Sequence, residues 1–241
     1  MVTNLKISPE TEVFYPSEDD EPLAETHEHL LAIINTFTVL TQYLAGQQAI
    51  VLSNQFLYYV KGQPSKRVTP DIMVVFDIVP GSRGSYKIWE EGQVPKLIME
   101  MTSQENKEND CVVKKSLYQE LGVEEYWLFD PKQEWVPDQL IGYRLQEGIY
   151  HHIRDSRSEV LQLQLVPKDS SLNFYRLDNG LKLLTPDELF QAWQAKTLVR
   201  KEVEQTAKTA HKHAVKPANR VLELEAMLDR YRHQFGDLPS N

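Results

Sequence analysis

The sequence predicts a mixed α/β (α+β) fold, with a mixed β-sheet core flanked by helices, an antiparallel extension and a C-terminal helical tail. Three observations carry this. Apolar residues recur at three- and four-residue steps after Ala24, and a strand, helix, strand pattern occupies residues 97–129. Short β-branched runs separated by turn signals fill residues 140–184, ahead of a long polar helical stretch. The expected division is an acidic leader at 1–23, one folded domain at 24–185 and a helical extension at 186–241.

Bulk composition bounds the class. The chain has 241 residues, is 41% hydrophobic and 25% charged, and has no apolar run long enough to span a bilayer. It reads as a soluble globular protein with no membrane partner. No basic segment followed by an apolar one opens the sequence, so no secretory signal is expected. The single cysteine, Cys111, offers neither an internal disulfide nor a thiolate cluster for zinc, which fits a cytoplasmic location.

The net charge of −9 argues against a generic nucleic-acid binder, whose affinity comes mainly from neutralised phosphates. Its distribution changes the picture. Between Ile7 and Thr26 stand seven acids and no Lys or Arg, so this stretch carries −7 of the −9 and the remainder is close to balanced. A solvated leader accounts for the excess.

Leu30, Ile33, Ile34, Phe37, Leu40 and Leu44 predict an amphipathic helix with one buried face, stopped by Gly46. His27 and His29, two apart in its first turns, do not share a face, and surface or capping roles are expected of them. Strands follow around 49–53 and 56–60. Pro70 restrains Thr69 to an extended backbone, so Asp71 opens the buried strand Ile72-Met73-Val74-Val75-Phe76. A second apolar run at 97–102 carries Glu100 in its middle, and the period of two puts Ile98, Glu100 and Thr102 on one face. An acid held among apolar neighbours is costly unless something pairs with it.

A helix is expected from Asp110 to Leu121, ended by Gly122, with Val113, Leu117 and Leu121 as its buried stripe. Lys114 then lies about 20° from Leu121 and about 60° from Leu117, facing the sheet, while Lys115 faces solvent. Residues 125–129 read as a strand, and a strand, helix, strand unit of this length makes the Glu100 and Trp127 strands parallel. Strands are expected at 140–145, 149–153, 160–166 and 171–177, and Asp178-Asn179-Gly180 signals a hairpin into 181–184. Pro186 opens the helical extension. Pro217 is expected to break it, leaving Val221, Leu224, Leu228, Tyr231 and Phe235 at heptad-like spacing for docking onto the body or for pairing in a homodimer.

Two acids on adjacent strands near an inward lysine are the minimum for a hydrolytic magnesium site. Hard cations take oxygen ligands, the ion acidifies water, and an ammonium orients the nucleophile or screens charge. A satisfied structural cluster of Asp71, Glu100 and Lys114 is the other reading of the same residues.

The combined order is more specific than any part. Pro70-Asp71, Glu100-Met101-Thr102-Ser103, Asp110, Lys114, Tyr118, Gly122-Val123, Glu125-Tyr126-Trp127 and Asp130-Pro131 resemble the restriction-endonuclease-like Uma-two family of the PD-(D/E)XK superfamily. Tyr15-Pro16-Ser17, Tyr58-Tyr59 and residues 86–92 extend the resemblance, which runs from about Tyr15 to Leu145. It implies a restriction-endonuclease-like mixed sheet and a metal-dependent DNA endonuclease leaving a 5′-phosphate, with Mg2+ as cofactor or Mn2+ in its place. Asp71 and Glu100 would be metal ligands, Lys114 would replace the lysine usual two residues after the acid, where Thr102 stands, and Glu28 would be a further ligand through water. Gln104-Glu105-Asn106 departs from the small residues usual in the family and adds an acid beside the site. The alternative is a nuclease-fold binding or interaction protein without turnover.

Overall fold

The computed structural model describes residues 13–17 and 26–236. In chain order the strands are β1 (Ala49–Leu52), β2 (Leu57–Tyr58), β3 (Arg67–Val68), β4 (Ile72–Phe76), β5 (Tyr86–Lys87), β6 (Leu97–Met101) and β7 (Glu125–Phe129). They continue with β8 (Leu140–Gln146), β9 (Ile149–Ile153), β10 (Arg157–Ser158), β11 (Leu163–Lys168), β12 (Ser171–Arg176) and β13 (Lys182–Leu183). The helices are α1 (His27–Tyr43), α2 (Ile88–Glu91), α3 (Lys115–Leu121) and α4 (Pro186–Phe235), with a π-helical turn at Asn109–Lys114 leading into α3.

The central sheet has six strands in the order β1-β4-β6-β7-β8-β9. Only β6 and β7 pair in parallel there, as the intervening helix requires, and every other neighbour is antiparallel. Both faces are covered. Ile72, Met99 and Trp127 point toward α1 and the β10-β11-β12-β13 sheet, whereas Met73, Ile98, Tyr126 and Leu128 point toward α3. A strand buried on both sides has no polar face, which is why β4, β6 and β7 read as nearly continuous apolar runs. The close approach of β8 to β7 depends on Gly142, opposite Trp127, since a Cβ there would overlap the indole.

Helix α1 begins where Thr26 Oγ1 accepts the His29 N–H at 3.4 Å. Its buried face is Ala32, Ile33, Thr36, Val39 and Leu40, while Leu30 and Ile34 are exposed. The sequence reading placed that face part of a turn away because it weighted the largest apolar residues. The small side chains of Ala32 and Thr36 instead lie against the sheet, where α1 packs on β1, β4 and β6.

A second departure concerns the helix after Glu100. The chain enters it through the π-helical turn, so Asp110, Lys114 and Tyr118 fall on one inward row, and Val113 is 60% exposed. A wider turn changes the rotation per residue, so Val113 turns outward, while Leu117 and Leu121 pack against the core as expected. Lys115 is half-buried over the Tyr143 ring at 3.8 Å, not free in solvent.

Near the N-terminus, Tyr15 packs edge-on against Tyr58 and beside Trp89. Much of the acidic leader lies outside the described residues. The chain divides into two compact units, with the boundary after Pro186. In the second unit α4 runs unbroken through Pro217. Proline in a helix costs about 3 kcal/mol through one lost hydrogen bond and a local clash; the surrounding Ala, Leu, Glu, Lys and Arg residues, all strong helix formers, sustain the helix across it. Val221, Leu224, Leu228 and Tyr231 are exposed along α4, and the side chain of Phe235 lies outside the described residues.

Candidate active site

The site forms where β4 begins and β6 ends. Ile72 pairs with Met99, so continuing the antiparallel register by one step puts Asp71 opposite Glu100. The two residues hold each other through backbone. The Met101 N–H donates to Asp71 Oδ2 at 2.7 Å, and the Asp71 N–H donates to Glu100 Oε2 at 3.3 Å. Asp71 shares strand parity with Met73, and Glu100 with Ile98, so both side chains project on the α3 side of the sheet.

The π-helical turn and α3 supply the rest. Lys114 Nζ lies 3.0 Å from Glu100 Oε2 and 3.1 Å from Asp110 Oδ1, and Tyr118 donates its hydroxyl to Glu100 Oε1 at 2.8 Å. The Tyr126 hydroxyl donates to the Asp110 carbonyl at 3.0 Å and anchors the turn to β7. Glu100 is 1% exposed and Asp110 is 2% exposed, so three charges share a space from which water is largely excluded.

Electrostatics follow from that crowding. Burial pushes the Glu100 carboxyl above its ordinary range; the Lys114 ammonium pulls it down, and Asp110 pushes it up again. Burial opposes the charge on Lys114 too, but the carboxylates of Glu100, Asp110 and Asp71 outweigh this and raise its pKa above the usual lysine value. Lys114 is therefore firmly cationic. Tyr118 is held protonated by burial and by the neighbouring Glu100, so it remains a donor.

These groups open into a cavity of about 500 Å³. Asp71, Glu100 and Lys114, the three catalytic residues expected from the sequence, all line it. Glu28 does not: it is exposed, and the cavity wall on that side is His29, whose Nε2 lies 3.7 Å from Asp71 Oδ2.

The Uma2 family model, described as "Putative restriction endonuclease", matches residues 19–175. The chain belongs to the Uma2 family. The match extends past Leu145 into β12. Among solved structures, the chain is similar to one titled as a putative nuclease belonging to DUF820, from Anabaena variabilis ATCC 29413. That likeness is 17% identical with a TM-score of 0.40 and covers 67% of this chain and 80% of that one. No curated protein matches the chain.

Two further side chains on the wall of this cavity are Asp110 and His29. Asp110, part of the family pattern and the expected helix start, stands four residues before Lys114, the spacing of an ion pair on one helix face. His29, for which a surface or capping role is expected, stands three and four residues before the buried Ala32 and Ile33, and that spacing turns it inward.

The donor set of this Uma2 cavity fits a hard divalent cation. Five carboxylates line it, from Asp71, Glu100, Glu105, Asp110 and Glu134, against two ammonium groups, from Lys114 and Lys132. Thr102 Oγ1 and Asp110 Oδ1 are buried there without a hydrogen-bond partner, although the latter is within ion-pair distance of Lys114. Among the described residues no three or more His, Cys, Asp or Glu side chains are grouped so as to hold a metal ion together. One or two carboxylates completed by water and phosphate are the usual arrangement for Mg2+. No helix of the described residues is long and apolar enough to cross a membrane.

Proposed function

We propose that this Uma2 protein is a Mg2+-dependent endodeoxyribonuclease that hydrolyses DNA phosphodiester bonds and leaves a 5′-phosphate. The observation that carries the reading is the pairing of Asp71 and Glu100 across adjacent strands, with Lys114 beside them in a cavity that has more acids than bases. A phosphodiester meets repulsion in such a cavity unless a cation intervenes.

Asp71 and Glu100 would hold the ion, which when bound supplies Lewis acidity at phosphate and acidifies water. The chain's own residues do the positioning. The Met101 N–H fixes the Asp71 carboxylate, and the Tyr118 hydroxyl fixes Glu100 by its Oε1. Lys114 keeps its proton, so its Nζ acts as a hydrogen-bond donor that orients the attacking water or stabilises charge growing on phosphate oxygen.

The second reading, a nuclease-fold binding protein without turnover, is favoured by one feature. Lys114 is already paired with both Glu100 and Asp110, and Glu105 and Glu134 add negative charge to the cavity wall. Cleavage of supercoiled and linear DNA at low salt, with Mg2+ or Mn2+, separates the two, because phosphate contacts weaken steeply as salt rises. The nuclease reading expects cleavage that Asp71→Asn abolishes and Lys114→Ala slows about a hundred- to a thousand-fold while metal affinity is kept. DNA binding with no cleavage above the Asp71→Asn control would establish the second reading.

A further inference from the structure

Residues 29–70 contain no Asp or Glu, and their three Lys and Arg residues, Lys61, Lys66 and Arg67, all fall within 61–67. At the average density of 35 acids in 241 residues about six would fall in a stretch of that length, so an acidic chain carries one purely positive segment.

The fold gathers those cations on a hairpin rooted at the site. Strands β2 and β3 pair antiparallel, Leu57 with Val68 and Tyr58 with Arg67. Beyond them the Tyr59 N–H donates to the Lys66 carbonyl at 3.3 Å and the Lys66 N–H to the Gln63 carbonyl at 2.9 Å, which closes the tip. The Gly62 N–H donates to the Tyr15 hydroxyl, and the Asn54 N–H donates to the Pro70 carbonyl at 3.1 Å, so tip and base are both fixed. The Arg67 guanidinium lies 4.1 Å from the Phe56 ring centroid, a contact that holds its charge in place. Lys61 and Lys66 are exposed, and among the described residues neither is in an ion pair. The cations that follow along the chain differ: Arg83 pairs with Glu91, Lys87 with Glu90, and Lys96 with Asp77 and Glu124.

We propose that this hairpin binds the phosphate backbone of duplex DNA through Lys61 and Lys66, to one side of the scissile bond. The inference rests on the nuclease reading above and adds the surface that supplies the affinity. The cavity supplies little, because the carboxylates of Asp71, Glu100, Glu105, Asp110 and Glu134 outnumber the ammonium groups of Lys114 and Lys132 there. Attraction for phosphate must come from outside it. Lys66 precedes Asp71 by five positions, a length of chain that spans at most about 18 Å. At about 3.4 Å of axis per nucleotide, Lys66 reaches phosphates within about five nucleotides of those beside Asp71. An ammonium meets phosphate as a point charge and reads no base edge, so these contacts are independent of sequence.

The test is fluorescence anisotropy of the full chain on a labelled DNA duplex in EDTA, from about 50 to 200 mM salt, where no metal-dependent cleavage takes place. The double variant Lys61→Gln, Lys66→Gln, shown folded by circular dichroism, is compared with Arg154→Gln, Lys208→Gln, which removes the same charge from exposed positions elsewhere. The hairpin variant should lower the slope of log affinity against log salt by about 1.8 and weaken low-salt binding about ten- to a hundredfold, equally for duplexes of different sequence. The control should keep the wild-type slope. A wild-type slope in the hairpin variant would overturn the proposal, as would an equal fall in the control or a wild type that binds no duplex. Cleavage with Mg2+ decides the nuclease reading separately. Cleavage without hairpin-dependent binding removes this proposal alone, and hairpin-dependent binding without cleavage removes the nuclease reading alone.

Discussion

Two buried glutamates on neighbouring parallel strands show what separates a staple from a site. Glu100 is 1% exposed and Glu125 is 0% exposed, and the register puts them at opposite ends of the β6 and β7 pair, Glu100 beside Leu128 and Glu125 beside Leu97. Glu125 is surrounded by donors. Its Oε1 accepts from Arg144 Nη2 at 3.0 Å and from the Glu159 N–H at 2.8 Å; its Oε2 accepts from Trp127 Nε1 at 3.1 Å and from Ser158 Oγ at 2.6 Å. Those donors come from β7, β8, β10 and the turn after β10, so one carboxylate ties the central sheet to the smaller one. Glu100 has Tyr118, Lys114 and one backbone N–H, shares its lysine with Asp110, and opens into the cavity. Burial is equal; the balance of donors to charge is not.

That contrast is broken or sharpened first by stability. Glu125→Gln removes the buried charge that Arg144 pairs with and turns an amide N–H toward a set of groups made up mostly of donors. It should cost roughly 2–4 kcal/mol, discounted for the partial exposure of Arg144, and lower Tm by roughly 5–15 °C. Glu100→Gln removes a charge that burial and Asp110 both oppose, and metal-free stability should change by less than about 1 kcal/mol or rise. Thermal melts of the two variants decide it, and equal losses would erase the distinction.

A smaller effect lies in pH. Glu100 has a folded-state pKa above its unfolded value, so its contribution to stability is complete below the ordinary glutamate range and is lost as pH rises through the raised value. Lys114 is raised as well, so its own contribution persists until strongly alkaline pH. The Glu100 contribution to the stability of metal-free protein should therefore fall as pH rises above the ordinary glutamate range. Lys114→Met removes the cation that favours ionised Glu100 and should move that loss to higher pH, whereas Glu125→Gln should leave its position unchanged. Denaturant melts across pH read both shifts; an unmoved profile in Lys114→Met would detach the lysine from the site.

Particular residues show why parts of this were legible in sequence. Asp71 and Glu100 stood out because Pro70 fixes a strand start and because one acid interrupts an apolar run, both local signals. Lys114 came from helical phase, and the π-helical turn happens to keep it inward while rotating Val113 out. The six residues Asn109–Lys114, three polar and three apolar, are too few to carry a period from which such a turn can be read. Glu125 opened an expected strand and gave no sign of burial, because its partners Arg144 and Ser158 are distant in sequence. The strand expected at 160–166 begins instead at Leu163, since Gln162 takes a left-handed backbone with φ 57° that its side chain does not announce.

The most direct test of the central claim, that Glu100 and not Glu125 is the poised acid, is calorimetric titration with Mg2+ of wild type, Glu100→Gln and Glu125→Gln, each confirmed folded by circular dichroism. The account predicts matching affinities for wild type and Glu125→Gln, and no heat above dilution for Glu100→Gln. Unchanged binding in Glu100→Gln would contradict it.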